Sequence, residues 1–125
     1  MSVWGVCMSR ILIVDDSAVN RNILRNILEK EGFDDIAEAE DGDEGLDEYL
    51  DKLPDIVILD ISMPGISGIE LLKHIKAHDP EAKVIMLSAD GQQKVKDEAA
   101  RYGANEYITK PYQISEIKNA VKRCS

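Results

Sequence analysis

The chain has 125 residues, the length of one ordinary domain, and 44% of them are hydrophobic, which excludes a disordered protein. It has 15 Lys and Arg against 24 Asp and Glu, and the net charge of −9 argues against a surface for nucleic acid or for an anionic membrane. Two cysteines do not make a disulfide framework, and no segment has the apolar length of a signal peptide or a spanning helix. We therefore expect a cytoplasmic domain at residues 9–125, preceded by a tail at residues 1–8.

Short apolar runs recur along the chain, and an amphipathic pattern follows each of them. In chain order the runs are Ile11–Val14, Asp35–Ala39, Ile56–Leu59, Val84–Leu87 and Glu106–Ile108. The three clearest runs do not alternate between apolar and polar residues, which is typical of strands buried on both faces of a sheet. Strands alternating with helices five times predict a parallel sheet with helices on both faces, joined by right-handed crossovers.

The helical patterns have predictable ends. Gly32 is the expected stop of the first pattern, the second ends before Pro54, and Ser67 opens the third with Glu70 as a capping box. The apolar stripe of the first pattern is Val19, Ile23, Leu24, Ile27 and Leu28, and that of the second is Leu46, Tyr49, Leu50 and Leu53. The stripe of the third is Leu71, Leu72 and Ile75, and that of the fifth is Ile114, Ile117 and Val121. The fourth pattern, at residues 92–102, has mainly small apolar side chains, so we expect its helix to be the least firmly held.

Polar side chains follow four of the predicted strands at the point where each strand ends. Asp15 and Asp16 follow the first strand, Asp60 the third, Ser88 the fourth and Lys110 the fifth. Each has an ordinary alternative role, since Asp and Ser are common in turns and helix caps and a lysine before proline fits a loop. Ligands of an open parallel sheet bind at the carboxyl ends of the strands, and this shared edge favours a functional site.

The chemistry of such a cluster is specific. Three carboxylates held together repel one another unless a cation joins them, and oxygen ligands without His or Cys select Mg²⁺, Mn²⁺ or Ca²⁺. A lysine and a hydroxyl would suit the oxygens of a phosphoryl group, and a carboxylate can itself form an aspartyl phosphate. The residues therefore indicate metal-dependent phosphoryl transfer to an aspartate. His74 and His78, spaced i and i+4, are a weaker metal pair, better interpreted as a solvated helix face.

Five motifs, in order and spacing, resemble the receiver domain of two-component response regulators across residues 9–125. They are Ile11–Ser17, Asp55–Asp60, Met63-Pro64-Gly65 with Gly68, Ser88-Ala89 and Lys110-Pro111. This resemblance implies a flavodoxin-like, CheY-like α/β fold with five parallel strands in the order 2-1-3-4-5 and five helices on both faces.

The resemblance also implies a role for each site residue. Asp60 is the expected phosphoacceptor, supplied by a phosphohistidine of a sensor histidine kinase or phosphotransfer protein, or by acetyl phosphate. Lys110 is expected to pair with the phosphoryl oxygens and Ser88 to hydrogen-bond one of them, and the Lys110-Pro111 bond is expected to be cis. The implied cofactor is Mg²⁺, and its implied ligands are Asp16, Asp60, Asp15 through water, and the backbone carbonyl of Ser62.

By the same resemblance, Tyr107 is the expected switch aromatic. Phosphorylation is expected to draw Ser88 towards the site and Tyr107 into the space that it leaves. The surface of the fourth helix, fifth strand and fifth helix would then change its affinity for a downstream protein. The alternative is that Tyr107 is a fixed ring of the core.

Three classes of function are considered. The leading one is a phosphorylation-controlled binding module without an external substrate, either a stand-alone protein of chemotaxis or phosphorelay type or a receiver excised from a larger regulator or hybrid kinase. The second is a Mg²⁺-dependent phosphatase with an Asp nucleophile; such enzymes often have a second Asp two residues later, where this chain has Ser62. The third is a receiver-like protein that acts by contacts alone, yet the acidic residues and Lys110 are all present.

Ser62 and Asp90 are polar positions that could orient an attacking water, so we expect moderate to fast loss of the phosphoryl group from Asp60. Replacing both by alanine should slow that loss severalfold, as followed by intact mass after the donor is removed. Ser115→Ala, outside the motifs, is the control. An unchanged decay rate in the double variant contradicts this role.

Overall fold

The computed structural model describes residues 9–63, 65–89 and 91–125. The expected N-terminal tail (residues 1–8), Pro64 of the third motif and Asp90 lie outside the described residues. The boundary expected between tail and domain at residue 9 therefore stays a prediction.

Strands and helices alternate five times along the described residues. The strands are β1 (Ile11–Val14), β2 (Ile36–Ala39), β3 (Ile56–Asp60), β4 (Lys83–Ser88) and β5 (Glu106–Thr109). The helices are α1 (Ala18–Lys30), α2 (Gly42–Lys52), α3 (Gly68–His78), α4 (Gln93–Arg101) and α5 (Ile114–Cys124). The order agrees with the sequence prediction. Within this described part, no helix is long and apolar enough to cross a membrane.

The strands form one parallel sheet in the order β2-β1-β3-β4-β5, which confirms the predicted fold. Ile11 of β1 is paired with Ile36 of β2 on one side and with Ile56 of β3 on the other. The chain therefore leaves β1 in one direction to form β2 and returns past it to form β3. In open α/β sheets, such a change of direction creates a crevice at the carboxyl ends of the two strands.

The residues of β1 face two hydrophobic cores alternately. Ile11 and Ile13 pack with side chains of α1 and α5, whereas Leu12 and Val14 pack with those of α2 and α3 on the opposite face. All four residues of β1 are fully buried. This double burial explains why the strand has a continuous apolar sequence and not an alternating one.

Local hydrogen bonds set the ends of the helices. The hydroxyls of Ser17 and Ser67 accept hydrogen bonds from the amides of Asn20 and Glu70, at the starts of α1 and α3. Gly32 follows α1 with a φ of +96°, a left-handed conformation that costs glycine little. The cap at Ser67 and the stop at Gly32 agree with the sequence predictions. Only the serine half of the predicted capping box is present among the described residues, and the Glu70 carboxylate lies 3.4 Å from Nζ of Lys73.

Three of the predicted apolar stripes are wrong at their margins, where large side chains are exposed to solvent. These side chains are Val19, Ile23, Leu50, Leu53 and Ile114. Ile23 and Ile114 line an open apolar groove of about 300 Å³ between α1 and α5, so they do not enter the core. Leu53 directly follows α2 with a φ of +48°, and this left-handed conformation takes it out of the helical stripe.

Helix α4 is thinly packed, as the sequence predicts. All of its residues are described, and Ala99 alone among them is buried. By contrast, α1 and α5 each bury three residues, several of them large. Since the free energy of burial scales with apolar area, α4 has the weakest hydrophobic attachment of these helices. Its greater mobility stays a prediction.

Gly68, the first residue of α3, packs against the backbone that carries Asp60. A β-carbon at this position would lie 2.5 Å from the carbonyl oxygen of Asp60 and 2.5 Å from Cα of Ile61. Because backbone atoms cannot rotate away, we expect Gly68→Ala to lower the free energy of unfolding by about 1–3 kcal/mol in urea denaturation. Gly91→Ala is the matched control, since its β-carbon would meet the side chain of Thr109 at 3.4 Å. Equal stability of the two variants would contradict the steric explanation.

Candidate functional site

The carboxyl edge of the sheet collects the polar side chains that the sequence singles out. Asp15 and Asp16 follow β1, Asp60 and Ser88 are the last residues of β3 and β4, and Lys110 follows β5. The side chains of Asp15, Asp60 and Ser88 are buried, whereas Asp16 is exposed. The parallel direction of the strands places their ends together, as the topology argument requires.

Three of these residues form an acidic cluster. Asp15, Asp16 and Asp60 each offer a carboxylate oxygen, and the three oxygens lie within 4.8 Å of one another. In the part of the chain that the structure describes, this is the one group of three or more potential metal-ligating side chains. The cluster is open on one side, because Asp16 is exposed while the other two are buried.

Asp15 is the least satisfied member of the cluster. Its Oδ1 accepts a hydrogen bond from the amide of Ser17 at 2.9 Å, but its buried Oδ2 has no hydrogen-bond partner among the described residues. Burial raises the pKa of the Asp15 carboxyl, and the nearby charge of Asp60 raises it further. A buried carboxylate oxygen without a partner costs free energy, which a bound cation would recover.

Lys110 reaches into the cluster from the opposite side of the crevice. Its Nζ lies 3.1 Å from Oδ2 of Asp60 and 3.8 Å from Oδ2 of Asp15. The backbone of the lysine is fixed because its amide donates to the carbonyl of Ser88 at 2.8 Å. The Lys110-Pro111 peptide bond is cis, as expected. Lys110 therefore provides positive charge at the point where the two buried carboxylates face each other.

The carboxylate of Asp60 is held through both of its oxygens. Oδ2 accepts from Lys110, and Oδ1 accepts from the backbone amide of Ser62 at 3.1 Å. The Ser62 side chain is exposed beside it. Ligation by the Ser62 carbonyl and hydrogen bonding of a phosphoryl group by Ser88 stay predictions.

The donor set fits a divalent cation of the hard class. All three donors are carboxylates, and hard oxygen ligands suit Mg²⁺, Mn²⁺ or Ca²⁺ better than the metals that prefer sulfur or imidazole. Oδ2 of Asp15, which has no hydrogen-bond partner among the described residues, lies 3.8 Å from the same Lys110 Nζ that contacts Asp60. The exposed position of Asp16 leaves room for water or a substrate oxygen, which Mg²⁺ characteristically keeps as ligands.

Tyr107 lies on β5, next to α4. Its side chain is half-buried, and Nζ of Lys96 on α4 lies 5.8 Å from the centre of its ring. The ring thus lies at the boundary between the sheet and the thinly packed helix. Movement of Tyr107 with Ser88 stays a prediction.

The two histidines of α3 take no part in the acidic cluster. His74 and His78 are both exposed, and the ring of His78 makes an edge-to-face contact with Tyr49 at 5.8 Å. The position of the pair agrees with the interpretation as a solvated helix face.

One side chain at the site was missed by the sequence reasoning. Arg21 of α1 donates from Nη1 to the backbone carbonyl of Asp15 at 2.6 Å. A cation near the N-terminus of a helix is electrostatically unfavourable, so an arginine four residues after a capping serine is a signal that it has a specific partner. The identity of that partner depends on the packing of α1 beside β1 and β2.

A family model described as response regulator receiver domain matches residues 11–122. The chain belongs to the response regulator receiver family. The matched span contains the acidic cluster and Lys110.

Individual relatives are similar over nearly their whole length. The chemotaxis protein CheY of Bacillus subtilis is 44% identical over 91% of this chain and 95% of that protein. Sporulation initiation phosphotransferase F of the same organism is 39% identical over 91% of each. Among solved structures, the CheX-CheY-BeF3-Mg²⁺ complex from Borrelia burgdorferi has a chain that matches with a TM-score of 0.90 and 35% identity, covering 95% of this receiver and 94% of that chain.

The raised pKa of Asp15 predicts the effect of removing its charge from the metal-free receiver. Asp15→Asn keeps an oxygen for the Ser17 amide but removes the ionised group, so it should stabilise the protein at pH 7 by on the order of 1 kcal/mol in urea denaturation with EDTA. A raised folded-state pKa means that protonation favours folding. The advantage of the variant should therefore shrink as the pH falls through that pKa, and it should be gone below the ordinary aspartate value of about 3.9.

Asp16→Asn is the matched control for this measurement, because the exposed carboxylate of Asp16 keeps its hydration. It should change the stability less than Asp15→Asn does. An Asp15→Asn protein that is no more stable than the wild type in EDTA would contradict the desolvation argument.

Proposed function

We propose that this receiver accepts a phosphoryl group on Asp60 in a Mg²⁺-dependent reaction and thereby switches its affinity for a downstream protein. The observation that carries the proposal is the arrangement around one buried carboxylate. Asp60 has Lys110 Nζ at 3.1 Å from its Oδ2, and the Asp15 and Asp16 carboxylates each bring an oxygen within 4.8 Å of one of its oxygens. This arrangement presents a nucleophile that belongs to a cation-binding cluster and contacts an ammonium group.

The proposed reaction is a displacement at phosphorus. A carboxylate oxygen of Asp60 forms the new P–O bond, and the bond from phosphorus to the donor breaks. The donor is the phosphohistidine of a sensor histidine kinase or phosphotransfer protein, whose imidazole nitrogen takes the electron pair, or acetyl phosphate, whose carboxylate does so. Lys110 is placed to exchange its ion pair with Asp60 for one with the phosphoryl oxygens, since its Nζ is already at the acceptor.

The proposed metal ligands are the carboxylates of Asp16 and Asp60, Asp15 through a water molecule, and the backbone carbonyl of Ser62. When bound, Mg²⁺ would offset the negative charge that accumulates where the phosphoryl group meets the acidic residues. Asp15 and Asp16 contribute charge and position to this task without joining the covalent step. Oδ2 of Asp15 supports the assignment, because it is buried with no hydrogen-bond partner among the described residues and has only the ion pair with Nζ of Lys110 at 3.8 Å.

The proposed readout lies on the face formed by α4, β5 and α5. Ser88 is buried at the end of β4 beside the site, and its hydroxyl would move towards a phosphoryl group on Asp60. Tyr107 would then move inward and alter the contact that its ring makes with Lys96. The weak hydrophobic attachment of α4 supports a change on this face, since displacing a helix that buries Ala99 alone costs little free energy.

The pathway is proposed from the relatives. Chemotaxis proteins and a sporulation phosphotransferase are among the proteins that match nearly all of this chain. We propose that the receiver works in the cytoplasm as a chemotaxis or phosphorelay protein, with no external substrate of its own. A solved complex of a similar CheY with CheX supports a protein as its target.

The deciding experiment is intact mass after incubation with acetyl phosphate and Mg²⁺, quenched in acid. We expect a single phosphoryl adduct on the wild type and none on Asp60→Asn or in samples with EDTA. Asp47→Asn is the matched control, because it removes an exposed carboxylate of α2 by the same chemical change, and it should be labelled like the wild type.

The outcomes separate the three classes of function. An adduct that persists in Asp60→Asn places the acceptor elsewhere and overturns the assignment. No adduct from acetyl phosphate or from a phosphohistidine donor, with Mg²⁺ binding shown separately, favours a role through contacts alone. Continuous turnover of a generic phosphomonoester would instead favour the phosphatase.

A further inference from the structure

Arg21 connects the acidic cluster to the edge strand of the sheet. Its Nη1 donates to the carbonyl of Asp15 at 2.6 Å, and its Nε donates to Oε1 of Glu38 on β2 at 2.9 Å. The side chain is only 15% exposed. Arg21 is the fourth residue of α1, where the helix dipole disfavours a cation, so these two acceptors account for the position of the guanidinium group.

Arg25 takes part in the same network one turn later. Its Nε donates to Oε2 of Glu38 at 2.6 Å, and its Nη2 donates to the carbonyl of Ile36 at 3.0 Å. Burial would raise the pKa of Glu38, but the two guanidinium groups outweigh burial and lower it. Both arginines therefore brace α1 against β2. Among the contacts of the described residues, Arg21 has one to the acidic cluster and Arg25 has none.

The carbonyl that Arg21 holds belongs to the peptide between Asp15 and Asp16. A charged donor at 2.6 Å fixes the orientation of that peptide plane. The amide of Ser17 holds the Asp15 side chain from the other direction. Asp16 is exposed, so the direction in which its carboxylate points depends on the backbone more than on side-chain packing.

We propose that Arg21 is a positioning residue for the cation site. Its guanidinium group is held by Glu38 of β2 and in turn fixes the peptide bond between Asp15 and Asp16. The proposal rests on the proposed function, since it concerns the same metal cluster. It adds a group that touches neither the metal nor the phosphoryl group and acts through the backbone. Groups that orient metal ligands typically contribute 10- to 100-fold to metal affinity.

A purely electrostatic role and a positioning role predict opposite changes in Mg²⁺ affinity when Arg21 is replaced. Removing a positive charge near three carboxylates would by itself strengthen the binding of a cation. Releasing the Asp15 carbonyl would weaken it, because Asp16 loses its fixed direction. The sign of the change in Mg²⁺ affinity thus distinguishes the two explanations.

The test is a Mg²⁺ titration of the unphosphorylated full chain, followed by the backbone amide resonances of Asp16 and Ser17. Arg21→Met should bind Mg²⁺ about tenfold more weakly than the wild type. Arg25→Met is the matched control, because it breaks an ion pair with the same Glu38 and leaves the contact with Asp15 intact. It should keep the wild-type affinity while losing similar stability in urea denaturation. Arg21→Lys keeps the charge but cannot donate to Glu38 and to the Asp15 carbonyl from two separate nitrogen atoms, so it should also bind Mg²⁺ weakly.

The outcomes separate this proposal from the proposed function. A wild-type protein that does not bind Mg²⁺ overturns both. If the wild type binds Mg²⁺ and Arg21→Met binds it equally or more tightly, the positioning role fails while the proposed function stands. Equal losses of affinity in Arg21→Met and Arg25→Met would mean that both residues only hold α1 in place, which overturns a specific role for Arg21. Full affinity in Arg21→Lys would mean that the guanidinium link to Glu38 is not required, which overturns that part of the proposal.

Discussion

Mutual repulsion among three carboxylates is the constraint around which this receiver is built. Like charges at about 4 Å repel by roughly 1 kcal/mol per pair in water, and by more where burial excludes water. Lys110 is the cation that reaches the two buried members, and one ammonium against three ionised carboxylates leaves a charge of −2. One divalent cation would neutralise this residual charge. In addition, Oδ2 of Asp15 is buried without a hydrogen-bond donor among the described residues.

The fold tolerates the repulsion because its stability comes from elsewhere. The four residues of β1 are completely buried between two hydrophobic cores, and Asp15 and Asp16 directly follow them. The strand therefore cannot relax away from the cluster without exposing core side chains. Gly68 contributes on the other side, since the start of α3 lies against the backbone of Asp60 with no room for a β-carbon. Unfavourable charge is thus held in place by apolar burial and close backbone packing.

The sequence was sufficient to predict the parts of this arrangement that depend on chain order. Parallel strands bring their carboxyl ends together, so the meeting of Asp15, Asp16 and Asp60 follows once the strands are recognised. The resemblance to receivers added the strand order and the cis bond before Pro111, which periodicity alone does not determine. The thinness of α4 was also predictable, because it depends on the size of the side chains.

What the sequence could not supply depends on how helices lie over the sheet. Val19, Ile23 and Ile114 fit helical stripes, but all three are exposed, and Ile23 and Ile114 line the groove between α1 and α5. The contact from Arg21 to the Asp15 carbonyl requires both the rotation of α1 about its axis and its distance from β2, neither of which local spacing encodes. Long side chains with several possible partners are therefore the residues that sequence reasoning places least well.

The two sides of the site differ in how firmly they are held. On one side, Arg21 and Arg25 share Glu38 and tie α1 to β2 through short hydrogen bonds. On the other side, α4 adds the methyl group of Ala99 to the core and contacts Tyr107 through Lys96. A phosphoryl group on Asp60 would perturb both sides. The larger conformational change is expected on the side where the loss of packing free energy is smaller. The charge network beside α1 would hold the ligand geometry constant, and the displacement would pass to α4 and β5.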